Sequence, residues 1–106
     1  MFHGYPVLGK ARVEGADTRG QLIGALERGV AEHDGLAAGC FNPRHGIRAM
    51  RGTGVVDLVI CFECFAVSVY VDGERRSGFP TSDSPQTVFD RVLRGAKVPL
   101  APKAEG

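Results

Sequence analysis

The sequence has little excess charge of either sign, no long apolar run and no leader-like beginning. Thirteen Lys and Arg stand against twelve Asp and Glu, which leaves a formal net charge of +1. Because nucleic acid and anionic membranes attract basic proteins, this balance makes nucleic acid an unlikely partner. Asp57 and Glu63 interrupt the apolar stretches well short of a membrane span, and residues 1–6 lack the features of a signal peptide. We therefore expect a soluble, cytoplasmic protein with no membrane partner.

Cysteine is also scarce. The three cysteines are an odd number, which fits reduced thiols or a metal site better than a closed disulfide framework. A length of 106 residues, 43% of them hydrophobic, is typical of one folded domain that needs no disulfide to support it. We therefore predict a single domain, 1–106, with a tail from about Pro99 that is loosely held.

Two segments have the pattern of amphipathic helices. Thr18 and Gln21 resemble a capping box at the start of a helix over 19–33, which contains three glycines and must therefore rely on packing. Ser84 and Pro85 predict the N-cap and first residue of a second helix that ends at Gly95. The apolar positions of the two helices are Leu22, Ala25, Leu26 and Val30 in the first, and Val88, Phe89, Val92 and Leu93 in the second.

The remaining apolar segments predict β-strands. They cover 5–14, 47–51, 55–71 and 74–79, and the last three are separated by turns at Gly52-Thr53-Gly54 and Asp72-Gly73. The expected fold is α+β: an antiparallel sheet of about four strands with two helices packed on one face, in the order β-α-β-β-β-α. The opposite face would then be covered by the 40–45 loop or by a partner subunit, which makes a homodimer an expectation.

The apolar alternation changes phase within 55–71. Val56, Leu58, Ile60 and Phe62 share one strand face, whereas Phe65, Val67, Val69 and Val71 fall on the other. Because a slip of one residue exchanges the two faces of a strand, we predict a β-bulge near Glu63-Cys64. The bulge would bring Cys61 and Cys64 to the face that carries Asp57. A tight turn at 62–64 is the alternative, but no Gly, Asn or Pro favours it.

A set of soft ligands surrounds this region. Cys40, His45, Cys61 and Cys64 form a Cys₃His set, which is the ligand type that tetrahedral zinc needs. Buried reduced thiols are the alternative, since free cysteine is among the most buried residue types. The Cys-x-x-Cys spacing also suggests redox chemistry, although no helix start lies nearby to lower the thiol pKa. A hydrolytic pair of Cys40 with His45 is weaker, because no orienting acid is evident.

A short basic run, formed by Arg44, His45, Arg48 and Arg51, leads into the predicted strand 47–51 and overlaps it. Arg44, His45 and Arg48 are a candidate phosphate or carboxylate site, although such a run is more often a solvated edge that discourages aggregation. His3 and His33 have no evident partner, and we expect both at the surface.

The segment Cys40-Phe41-Asn42-Pro43-Arg44-His45-Gly46, followed by Ile60-Cys61-Phe62-Glu63-Cys64, resembles a group of small bacterial proteins of unknown function. They share a Cys-Phe-x-Pro-Arg-His-Gly segment and an Ile-Cys-Phe-x-Cys strand. The resemblance implies that the two cysteine segments belong together, and it implies no activity.

No residue set in the sequence defines a substrate. The leading hypothesis is a small non-enzymatic binding or protein-interaction domain. The alternatives are a structural zinc domain that uses Cys40, His45, Cys61 and Cys64, and a thiol-based redox enzyme.

Overall fold

The computed structural model describes residues 2–5, 7–33, 43–98 and 100 of the chain. Two helices flank four strands in the chain order α-β-β-β-β-α. The elements are α1 (Ala16–Glu32), β1 (His45–Arg51), β2 (Gly54–Cys61), β3 (Ala66–Val71), β4 (Glu74–Pro80) and α2 (Gln86–Gly95). The predicted α+β class and the antiparallel four-stranded sheet are confirmed, whereas the predicted element order is wrong.

The strands form one sheet in the order β1-β2-β3-β4, and every neighbouring pair is antiparallel. Short turns join them because each contains residues that tolerate a positive φ angle. Gly52 has φ 60° between β1 and β2, and Asp72 and Gly73 have φ 50° and 86° between β3 and β4. Two consecutive positive φ angles are typical of the tight hairpin turn that Asp-Gly favours. Both predicted turns are confirmed.

The structure corrects the strand predictions at two places. The predicted first strand is absent, because residues 7–15 contain no helix or strand and Phe2 pairs with Tyr5 in an isolated bridge. The predicted bulge near Glu63-Cys64 is also wrong. β2 ends at Cys61, four turn residues follow, and β3 returns beside it, so that one predicted strand is in fact two.

The turn between β2 and β3 explains the change of phase in the apolar pattern. Phe65 has φ 59° and supplies the left-handed residue that glycine or asparagine usually supplies in a turn. In the resulting hairpin, Leu58 is paired with Val69 and Ile60 with Val67, so both apolar sets lie on one face. A register shift does occur in the sheet, but between Val69 and Tyr70 against β4.

The helix starts differ from the predictions, and one predicted end is confirmed. α1 begins after Gly15 with no side-chain cap hydrogen bond, so the capping box at Thr18 is wrong. α2 follows Pro85, and the Ser84 hydroxyl donates to Glu32 Oε1 at 2.9 Å instead of capping the helix. α2 ends at Gly95 as predicted. No helix of the described part of the chain is long and apolar enough to cross a membrane.

The apolar core joins both helices to one face of the sheet, here called the helix face, which includes Ile47, Leu58, Ile60 and Val67. The predicted packing of both helices on one face is thereby confirmed. The buried cluster consists of Leu22, Leu26, Ile60, Phe62, Val67 and Phe89.

Glycine permits the close packing of α1 against the chain that leads into α2. A Cβ atom at Gly29 would lie 2.6 Å from Pro85 Cγ and would also collide with the Thr81 hydroxyl. In addition, the backbone N–H of Ser82 donates to the carbonyl of Gly29 at 2.8 Å. Position 29 therefore needs glycine so that α1 can approach the segment that leads into α2. The glycine content of the predicted helix had indicated that this helix relies on packing.

The C-terminal tail that we expected to be loosely held lies mostly outside the described residues. Of the chain after Val98, only Leu100 is described.

Candidate functional site

The N-terminal residues Phe2–Tyr5, here called the hook, lie on the second face of the sheet. The hook closes on itself through hydrogen bonds between Phe2 and Tyr5, at 2.8 and 3.1 Å, with positive φ angles at His3 and Gly4. The Phe2 ring packs over Gly46, where a Cβ atom would lie 2.7 Å from the ring. This second face, the hook face, therefore has a cover supplied by the chain itself.

A buried carboxylate anchors the hook. Asp57 is 2% exposed and accepts hydrogen bonds from Arg48 Nε at 2.8 Å and from Arg48 Nη2 at 2.9 Å. His3 Nε2 lies 2.7 Å from Asp57 Oδ2, the oxygen that also accepts from Arg48 Nη2. The Arg48 hydrogen bonds hold the pKa of Asp57 below its ordinary value, against the opposing effect of burial, and the His3 hydrogen bond lowers this pKa further. Asp57 is therefore ionised at neutral pH.

Ring contacts complete the anchorage of the hook. The His3 ring stacks on Tyr70 with centroids 3.7 Å apart, and the Arg48 guanidinium lies 5.6 Å from the centre of the Phe2 ring. The His3 side chain is only 13% exposed, so the expectation of a surface position for His3 is wrong. The homodimer that we expected to cover this face stays a prediction. That expectation assumed that the second face of the sheet is uncovered, and the hook covers part of it.

An open groove runs beside the hook along β3 and β4. Its volume is about 650 Å³, and two tyrosines, Tyr5 and Tyr70, contribute to its walls. Arg75 is the one charged residue among the lining residues, and no ion pair or side-chain hydrogen bond holds its guanidinium within the described chain. The remaining lining residues are Phe65, Ala66, Val67, Ser68, Gly78, Phe79 and Pro80.

A disulfide closes the turn between β2 and β3. Cys61 and Cys64 are bonded to each other and are 1% and 4% exposed, and the backbone N–H of Cys64 donates to Cys61 Sγ at 3.1 Å. The expectation of reduced thiols is therefore wrong for these two cysteines. Cys61 lies on the face that carries Asp57, as predicted, because the two residues are separated by four positions of a regular strand.

The members of the predicted zinc set take different places. Cys40 lies outside the described residues, and Cys61 is bonded to Cys64. His45 pairs with Ile60 in the sheet and therefore points to the helix face, where its Nε2 atom lies 2.7 Å from Asp90 Oδ1. Among the described residues, no group of three or more His, Cys, Asp or Glu side chains is arranged to hold a metal. The zinc hypothesis stays a prediction about a set that includes Cys40.

The predicted basic site, Arg44, His45 and Arg48, does not converge on one point. Arg44 Nη2 lies 2.8 Å from Glu63 Oε1, an ion pair without the direction of a good hydrogen bond to that oxygen. His45 contacts Asp90 on the helix face, whereas Arg48 contacts Asp57 on the hook face. Each of the three side chains is thus next to a carboxylate of the same chain.

Sequence reasoning missed the hook and the groove, although one signal was available. The turn at Gly52-Thr53 fixes the register of β1 against β2, and this register places Arg48 opposite Asp57. A carboxylate inside an apolar strand needs such a partner, because an unpaired buried charge is costly. Nothing in the local pattern of residues 2–5 indicated where this segment would lie.

Comparisons with known proteins add no identification. No family model, no curated protein and no solved structure matches the chain. The functional argument therefore rests on the hook, the groove and the disulfide.

Proposed function

We propose that this chain is a non-enzymatic binding domain that holds a small organic anion in the groove beside the hook. The observation that carries the proposal is the composition of the groove, in which two tyrosines accompany one arginine that has no ion-pair partner among the residues the structure describes. Aromatic rings bind a flat or apolar body, and a guanidinium binds a carboxylate or sulfonate through two parallel hydrogen bonds. One cation matches one anionic group.

The size and chemistry of the groove support binding rather than catalysis. A volume of about 650 Å³ falls in the range that small-molecule sites occupy. The polar side chains of the lining are the phenols of Tyr5 and Tyr70, the Ser68 hydroxyl and the Arg75 guanidinium. None of these groups is a histidine or a carboxylate, the side chains that most often act as general acid or base.

Titration with 8-anilinonaphthalene-1-sulfonate tests the proposal, because this probe joins an aromatic body to one sulfonate and fluoresces when bound. We expect saturable binding that benzoate displaces and that benzamide, a flat amide of similar shape without the charge, does not. The variant Arg75→Gln should weaken probe binding about tenfold, which corresponds to loss of one charge-assisted contact.

Arg76→Gln is the matched control for this titration. Arg76 is the next residue of β4, is exposed, pairs with Glu74 and is not part of the groove lining. The probe affinity of this variant should stay within about twofold of the wild type. Equal losses in both variants, or displacement by benzamide as effective as by benzoate, would refute the proposed site.

The disulfide favours a second candidate, a thiol–disulfide exchange domain. In this reaction a dithiol reductant donates two electrons: one of its thiolates attacks a sulfur of the Cys61–Cys64 bond, and its second thiolate then closes the reductant's own disulfide. Two thiols remain on the protein. Because both sulfurs belong to buried residues, we expect exchange to require local opening of the turn.

The rate of reduction by dithiothreitol distinguishes this candidate from a purely structural disulfide. An exchange domain should be reduced in its folded state within minutes, at a rate close to that of the chain unfolded in urea. Resistance of the folded protein to millimolar dithiothreitol over hours would rule out the exchange function and would leave the binding function untouched.

A further inference from the structure

The disulfide and the groove are adjacent along the chain and in space. Phe65 and Ala66, which line the groove, directly follow Cys64. Ala66 is also the residue that pairs with Cys61 at the end of the β2–β3 ladder. The bond between the two sulfurs therefore constrains the position of Phe65 and Ala66, which form one wall of the groove.

The turn that carries this wall is also held by the ion pair of Glu63 with Arg44, but the backbone at Phe65 itself is under strain. The hydrogen bond from the Phe65 N–H to the Phe62 carbonyl is long, at 3.3 Å. Phe65 itself has φ 59°, a backbone conformation that residues with a side chain rarely adopt. On the far side, the carbonyl of Phe65 accepts a hydrogen bond from Thr81 N at 3.0 Å. With the disulfide open, the sulfur–sulfur bond no longer holds Phe65 in this unfavourable conformation.

We propose that the oxidation state of Cys61 and Cys64 controls ligand binding in the groove; this inference rests on the binding function proposed above. With the disulfide closed, Phe65 is held in the left-handed conformation and the wall is formed. Reduction by a dithiol transfers two electrons to the sulfur–sulfur bond and leaves two thiols, while the reductant becomes a disulfide. Phe65 is then released to an ordinary conformation, and the wall is lost.

The effect of reduction is local because the sheet does not depend on the turn. β2 and β3 remain joined by the ladder from Val56–Val71 to Cys61–Ala66, and Phe62, the turn residue that belongs to the core, keeps its ring contacts with His45 and Phe89. Opening of the turn therefore changes the groove at Phe65 and leaves the helix layer in place.

The experiment compares probe binding to the oxidised and the reduced protein. It uses the full chain with Cys40→Ser, so that the two remaining cysteines are the pair itself. Thiol counting verifies each state, and 8-anilinonaphthalene-1-sulfonate is the probe. We expect the reduced protein to bind about tenfold more weakly, within the usual range of coupling between two sites. Reoxidation should restore the affinity, and the oxidation-independent double variant Cys61→Ser with Cys64→Ser should bind like the reduced protein.

Each other outcome overturns the inference in a recognisable way. Equal affinity in the two states refutes redox control and leaves the binding function intact. Absence of charge-dependent binding in both states refutes the binding function and the inference together. Loss of the helical circular dichroism signal on reduction would show that the disulfide supports the whole fold, which contradicts control of the groove alone.

Discussion

On the helix face of the sheet, Ile60, Val67 and Phe89 belong to one apolar cluster, which lies beside the hydrogen-bonded pair of His45 and Asp90. On the hook face, three residues before Ile60 in β2, Asp57 is buried between a guanidinium and an imidazole. The first contact depends on removal of apolar surface from water, which is insensitive to pH. The second depends on charge-assisted hydrogen bonds, whose contribution varies with the protonation of the groups that make them.

This difference divides the tasks of the two faces. The helix face joins both helices and the sheet into one core, so its disruption should affect the whole domain. The hook face carries the candidate ligand groove and is covered by a short N-terminal segment, so its disruption should affect binding more than folding. Four substitutions test this division, from the largest expected loss of stability to the smallest.

Phe89→Ala should lower the free energy of unfolding by about 3–5 kcal/mol, because it removes a large side chain from the core and leaves a cavity. Phe89 is 4% exposed and contacts both Phe62 and His45 through its ring. Urea denaturation measures the loss. Ile23→Ala on α1 is the control, since Ile23 is 57% exposed and its loss should change stability by less than about 0.5 kcal/mol.

Gly29→Ala should cost about 1–3 kcal/mol, because the added methyl group overlaps Pro85 and Thr81 and forces α1 away from them. Gly24→Ala, in the same helix, meets nothing within 4 Å and should instead stabilise the domain by up to about 1 kcal/mol through helix propensity. The melting temperatures of the two variants, measured by thermal denaturation, should therefore shift in opposite directions: down for Gly29→Ala and up for Gly24→Ala. Destabilisation by both would show that the helix layer is packed differently from this description.

Asp57→Asn should lower the free energy of unfolding by about 1–3 kcal/mol at neutral pH, because it weakens the hydrogen bonds to Arg48 and His3. The depressed pKa of Asp57 makes this contribution pH-dependent. It is fully present above the unfolded-state pKa of about 3.9 and is lost as pH falls through the lower folded-state value. The variant should therefore show a flatter loss of stability in acid. Asp83→Asn, at an exposed position, serves as the control with an unchanged acid profile.

His3→Ala should have the smallest effect, about 1 kcal/mol, because it removes one hydrogen bond and the ring contacts with Phe2 and Tyr70 at the edge of the fold. Its effect should not add to that of Asp57→Asn, since the two substitutions break the same interaction. The double variant measures this coupling. The same substitution should also weaken binding of the anionic probe, because Tyr5 belongs to the hook that His3 anchors.

Much of the fold could be predicted from local sequence because strong turn residues delimit most of the sheet. The glycines near 52 and 73 fixed two turns, and the spacing of Leu58, Ile60 and Val67 identified the helix face correctly. The third turn was considered only as the less favoured alternative to a bulge, because its left-handed residue is Phe65, which carries no statistical preference for turns. The disulfide, which brings the ends of that turn together, is a tertiary constraint that alternation of polar and apolar residues does not record.

The candidate site was harder to predict because its parts are distant in sequence. The groove needs Tyr5 from the hook, Tyr70 from β3 and Arg75 from β4. Short-range patterns describe each of these segments separately, and only the packing of residues 2–5 onto the sheet brings them together. The basic run at 44–48 attracted attention because its members are neighbours in sequence, yet alternation along β1 sends His45 and Arg48 to opposite faces.

The long sequence separation between the hook and its anchor determines when the hook can form. Each strand pairs with its neighbour in sequence, so the sheet can assemble from short-range hairpins. The contact between His3 and Asp57 instead closes a span of 54 residues, and it needs β1 and β2 to be in register already. Docking of the hook is therefore expected as the last step of folding and its release as the first step of unfolding. In native-state hydrogen exchange, the amide protons of Phe2 and Tyr5 should exchange through local opening. The amide protons of β2 and β3 should exchange only through unfolding of the whole domain.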